Sequence, residues 1–161
     1  MEAEGIVLQS SEEEIEHRRE MIDCLVECPI PRDQLLSNIG LFIESKHLSR
    51  ILLMDFLFRS IVEVHGNVLE FGCRWGQNSA LFTALRGIYD PFNRHRKIIC
   101  FDTFEGFPEV SKEDGEHEMM FQGALSTTPN YEDYLARVLR THESLNPLPH
   151  IKKYEIVKVL M

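Results

Sequence analysis

Glu70-Phe71-Gly72-Cys73-Arg74-Trp75-Gly76-Gln77-Asn78-Ser79 has residue types and spacing suited to ligand chemistry. A short β-type run, a glycine, three residues, a second glycine and a helix start form the layout of a nucleotide-holding first crossover. Gly72 permits the sharp turn, and Gly76 lets backbone pass close to a ligand at a helix N-terminus. In a dinucleotide fingerprint the middle glycine would fall at Arg74. Bulky residues at 73–75 disfavour a diphosphate cofactor and tolerate one without it. A P-loop is excluded, because no G-x-x-x-x-G-K-[ST] occurs. Asp102 supplies the second half of the constellation. It closes the apolar run Ile98-Ile99-Cys100-Phe101, where a carboxylate can accept hydrogen bonds from both hydroxyls of an adenosine ribose. Phe104 is positioned in sequence to cover an adenine face. Singly, two glycines and a strand-end acid are turn residues. Together they favour ligand binding.

The elements around these residues follow from periodicity. Glu12 to about Glu27 reads as a helix with an apolar stripe of Ile15, Ile22, Leu25 and Val26, stopped by Pro29 and Pro31. A short segment from about Asp33 carries Leu35, Leu36 and Ile39. From about Lys46 to Val64, apolar residues cover more than half of a helix's girth, so that helix is expected to be largely buried. Residues 1–65 thus form an N-terminal helical region. From residue 66 the order changes to strand, helix (about Ser79–Tyr89), strand, helix (about Asn130–His142) and strand (Tyr154–Val159). That β-α-β-α-β order over 66–161 predicts an α/β fold, the first half of a Rossmann-like, doubly wound sheet. Strand order 3-2-1 would leave the first strand as an apolar edge.

Composition narrows the function classes. The chain has 161 residues, 43% hydrophobic and 27% charged, as expected for one globular domain. The net charge of −9 is concentrated in two places. Residues 1–20 carry seven glutamates against Arg18 and Arg19, and residues 102–120 carry seven acids against Lys112. Two acidic segments on a near-neutral body argue against nucleic-acid binding, which needs a basic stripe. No apolar run reaches the ~18 residues of a membrane span, and no secretory signal opens the chain. A cytoplasmic location is therefore expected. Four cysteines and seven histidines show no zinc spacing. Glu105, Asp114, Glu116 and Glu118 are read as solvated loop acids, with no metal held by this chain.

Phe101-Asp102-Thr103-Phe104-Glu105-Gly106-Phe107-Pro108, following the Glu70-Phe71-Gly72-x-x-x-Gly76 turn, resembles the macrocin O-methyltransferase family. These are class I S-adenosylmethionine-dependent methyltransferases that act on sugar hydroxyls. The octapeptide is specific, whereas the glycine turn is common to the whole class. The resemblance runs from about Leu48 to the end. It departs at Arg74-Trp75, where the macrolide enzymes usually have the reverse order. It implies that S-adenosylmethionine is the cofactor. Glu70, Gly72 and Gly76 would line its methionine part, with Ser79 near the helix start. Asp102 would hold the ribose, and Thr103 and Phe104 would border the adenine.

The same resemblance implies seven strands, while this sequence has residues for about three. In the family, the divalent-metal carboxylates and the general base lie in the later part. The expectation is therefore a cofactor-binding half, truncated at its C-terminus and inactive alone, with a small-molecule hydroxyl acceptor for the intact enzyme. Two other readings stand beside it. One is a non-catalytic module in which the N-terminal helices form a homodimer. The other is an NAD-type oxidoreductase fragment, disfavoured by Arg74 and the missing third glycine.

Overall fold

A computed structural model describes residues 10–107, 110 and 120–159. These residues fall into two compact units, divided between Arg50 and Ile51. In the first, helix α1 (Glu12–Val26) opens on a capping box. Ser11 Oγ accepts from the Glu14 N–H, and Glu14 Oε2 accepts from the Ser11 N–H, both at 3.2 Å. Glu12, Glu13 and Glu14 occupy its first turn, where the helix dipole favours negative charge. The segment read from about Asp33 is a 3₁₀ turn over Leu36–Phe42. Helix α2 (Ser45–Ser60) follows and runs across the division.

The second unit is built on a parallel sheet in the order β1-β2-β3. Its strands are β1 (Val68–Phe71), β2 (Ile98–Asp102) and β3 (Tyr154–Lys158). Val68 is level with Ile98, and Ile98 with Tyr154. Helix α3 (Gln77–Tyr89) connects β1 to β2, and α4 (Tyr131–Leu145) connects β2 to β3. Parallel neighbours require such crossovers. The sheet and its helices are the α/β, Rossmann-like half expected from the alternation of elements. Among the described residues no helix is long and apolar enough to cross a membrane.

Alternation along the strands sorts their side chains between the two faces. Cys100, Tyr154 and Ile156 pack with Leu135 and Leu139 of α4, while Ile98 packs with Phe58 and Leu85. Leu69 and Phe71 are 52% and 74% exposed on the other face of β1. Phe71 stacks on Phe101 with ring centroids 4.9 Å apart.

One expectation changes. Helix α2 buries only Phe58, and Leu48, Leu52, Leu53, Phe56 and Leu57 are exposed. The core offers the helix a narrow contact: Met54, Phe58, Ile61 and Val62 meet Leu85 and Ile98 there. That contact also puts residues 51–65 with the sheet in the second unit.

Buried charge holds the helices to the sheet. Arg86 of α3, 1% exposed, pairs through its Nη2 with Glu143 Oε1 of α4, and Lys153 Nζ lies 3.1 Å from Glu143 Oε2. Arg86 also donates to the Lys153 carbonyl, and Lys153 donates to the carbonyls of Leu148 and Ile151. Arg96, from the loop before β2, is 3% exposed. It pairs with Asp90 at 2.8 Å and donates to the carbonyls of Ile61, Val62 and Val64 after α2.

Removing one member of such a pair leaves buried charge uncompensated. Glu143→Ala is expected to lower unfolding stability by about 3–5 kcal/mol in urea titration. An unchanged midpoint would mean that solvent reaches Arg86 and Lys153. Burial also holds the His142 imidazole below its ordinary 6.5, with Glu143 acting in the opposite sense. The folded state therefore resists protonation while the unfolded chain accepts it near 6.5, so stability falls as pH drops through that value. Between about pH 7.5 and 5.5, His142→Gln should lose less stability than the parent chain.

Candidate ligand site at the strand ends

The turn after β1 is fixed from two directions. The Gly72 N–H donates to the Phe101 carbonyl at 2.8 Å, continuing the β1–β2 pairing. The Arg74 N–H donates to Asp102 Oδ2 at 2.6 Å. Asp102 Oδ1 accepts the Phe104 N–H at 2.7 Å. One carboxylate thus bridges the turns that leave β1 and β2. Each of its oxygens keeps a second lone pair for a further donor.

Above this bridge lies a cavity of about 350 Å³, within the range of small-molecule sites. Gly72 and Arg74 line it from the first turn, and Asp102 and Thr103 from the end of β2. Phe71, Phe101, Phe107, Leu125 and Val159 give it apolar walls. Gly72 sits at φ +77, and a Cβ there would project into open space. A ligand can therefore approach its backbone closely, as an adenosine-type cofactor at this turn requires.

The structure divides the residues singled out in the sequence. Gly72, Asp102 and Thr103 line the cavity; Glu70, Gly76, Ser79 and Phe104 do not. Glu70 accepts from Asn78 Nδ2 at 3.0 Å and from Ser79 Oγ, so its carboxylate ties β1 to the start of α3. Ser79 is fully buried. Gly76, at φ +69, caps α3 in a left-handed conformation, and a Cβ there would collide with the Leu135 methyl groups. Its lack of a side chain serves the approach of α4.

Phe104 takes φ +60 and is 4% exposed, packed with Cys73, Cys100 and Leu135. Its ring packs in the core and does not line this cavity. Phe107 of the same octapeptide reaches the cavity instead, although nothing in the spacing distinguishes the two phenylalanines. The Thr103 hydroxyl donates to the Gly106 carbonyl at 2.8 Å and shapes the loop. Cys73 is hydrogen-bonded to Cys100 and buried, both of which push its thiol far above the ordinary range and leave it a poor nucleophile. Among the described residues no group of three or more acids, histidines or cysteines could hold a metal ion. Asp114, Glu116 and Glu118 lie outside the described residues.

The solved structures similar to this chain include two of CalS11. One is CalS11, a calicheamicin methyltransferase, with a TM-score of 0.91 and 34% identity over 99% of this chain and 64% of that one. The other is an apo structure of CalS11, described as a TDP-rhamnose 3′-O-methyltransferase of calicheamicin biosynthesis. It gives a TM-score of 0.77 and 32% identity over 94% of this chain and 57% of that one. No family model matches the sequence, and no curated protein does. The chain spans less than two thirds of the length of either structure. Both likenesses support an O-methyltransferase fold of the S-adenosylmethionine type. Their descriptions name calicheamicin, so the narrower macrocin resemblance does not follow from them.

The division of roles between the two glycines is open to test. Gly76→Ala should destabilise by about 2–4 kcal/mol, from the left-handed backbone and the collision with Leu135 together. Denaturant titration in a Leu135→Ala background should recover the packing part. Gly72→Ala should lose only about 1 kcal/mol, because its Cβ meets nothing. Equal losses at the two positions would refute the division.

Proposed function

We propose that this chain forms the cofactor-binding part of an S-adenosylmethionine-dependent O-methyltransferase whose acceptor is a sugar hydroxyl. The observation carrying the proposal is the Asp102 bridge beneath the open backbone of Gly72. The carboxylate is held rigid by two N–H donors and faces a cavity that Gly72 also lines. It accepts the ribose hydroxyls, while the apolar walls from Phe101 and Phe107 receive the adenine. When bound, the cofactor supplies an electrophilic methyl on a sulfonium. The chain's residues contribute alignment, the part of such a transfer that a rigid site provides. The similar structure described as a TDP-rhamnose 3′-O-methyltransferase supports the choice of acceptor class.

Deprotonation of the acceptor is assigned to residues outside this site, whether a general base or a divalent metal. Cytoplasmic residence and a homodimer remain part of the proposal. A dinucleotide oxidoreductase fits the site less well. The Arg74 N–H, which a diphosphate would need, is already given to Asp102.

Isothermal titration with S-adenosylhomocysteine tests the reading. The parent chain should bind, and Asp102→Ala should weaken binding by about tenfold or more through loss of hydrogen bonds to a charged acceptor. A folded parent chain that gives no heat, or an alanine variant that binds equally well, would overturn the assignment.

A further inference from the structure

Resting on that cofactor reading, we infer that Arg74 is the specificity residue for the cofactor's α-carboxylate. Arg74 is half-buried, and the fully buried cations of this unit all have carboxylate partners: Arg86 and Lys153 share Glu143, and Arg96 has Asp90. Arg74 lines the cavity, yet no carboxylate lies within ion-pair distance of it among the described residues. Its Nε is buried and has no hydrogen-bond partner, a costly state for a donor that is always charged. Its guanidinium carbon stands 5.5 Å from the centre of the Trp75 ring, which orients the group without using any of its N–H donors.

The backbone adds a second observation. Arg74 sits at φ +47, where a non-glycine residue is strained. A glycine would relieve that strain, so arginine's presence there calls for a function of its side chain. A planar guanidinium with free donors matches a carboxylate bidentately.

Connectivity identifies whose carboxylate it is. Asp102 accepts the N–H of Arg74 itself, so the ribose site and the guanidinium are separated by one arginine side chain. In S-adenosylmethionine the ribose and the α-carboxylate are likewise joined through C5′, the sulfur, two methylenes and the α-carbon. One ligand can therefore meet both groups. The diphosphate of a nucleotide-sugar acceptor is the competing oxyanion, and it lacks that fixed link to Asp102.

The test is titration of the full chain, and of Arg74→Gln and Arg74→Gly, with three ligands. These are S-adenosylhomocysteine, its decarboxylated analogue (which keeps adenosine, thioether and amine) and thymidine diphosphate. The parent chain should prefer S-adenosylhomocysteine over the analogue by about 10- to 100-fold. Both variants should lose that preference while binding the analogue as before. Arg74→Gly, which suits the local φ, guards against misfolding as the cause. A preference that survives in the variants, or an equal loss of both adenosine ligands, overturns the inference and leaves the Asp102 site standing. Loss of thymidine diphosphate alone overturns it in favour of the acceptor. A parent chain that binds neither adenosine ligand removes the cofactor reading, and this inference with it.

Discussion

The carboxylate of Asp102 joins two turns that would otherwise be independent. One oxygen takes the Arg74 N–H and the other the Phe104 N–H, so the chain leaving β1 and the chain leaving β2 are fixed to each other. The Asp102 carbonyl accepts the Val159 N–H at 2.8 Å, which brings in the end of β3. All three strand ends are tied at this residue. The cavity exists because they are held apart at a set spacing, with Gly72 leaving one wall bare. A side chain that organises the empty site is already rigid when a ligand arrives, so little ordering remains to be done on binding.

The two ends of the sheet use polar groups differently. At the end opposite the cavity, the buried cations Arg86, Lys153 and Arg96 are paired with Glu143, Asp90 and backbone carbonyls. Around the cavity, polar capacity is left over, on the Asp102 oxygens and on Arg74. Satisfied charge confers rigidity, while unsatisfied charge marks the place for a ligand. The FDTFEGFP segment combines both uses: Thr103 and Gly106 close the loop, Phe104 anchors it in the core, and Phe107 faces the cavity.

The β-α-β-α-β order, the position of Asp102 at a strand end and the glycine turn before α3 were all determined by the sequence alone. Each is a local property. A continuous apolar run marks a parallel strand, a helical period marks its crossover, and the residue that ends such a run stands at the ligand-facing edge.

The tertiary structure decided what each side chain does there. Phe104 turns inward to pack with Cys73, Cys100 and Leu135, neighbours that only folding brings to it. Gly76 accommodates Leu135 of α4, a neighbour far along the chain. Arg86 and Arg96 are buried against Glu143 and the carbonyls after α2, partners that lie far along the chain. The exposed flank of α2 shows the same limit from the other side, since an apolar girth records what a helix can bury and not what the fold brings to it. Periodicity is written in neighbours along the chain, whereas a side chain's partner is chosen by residues that only folding brings near.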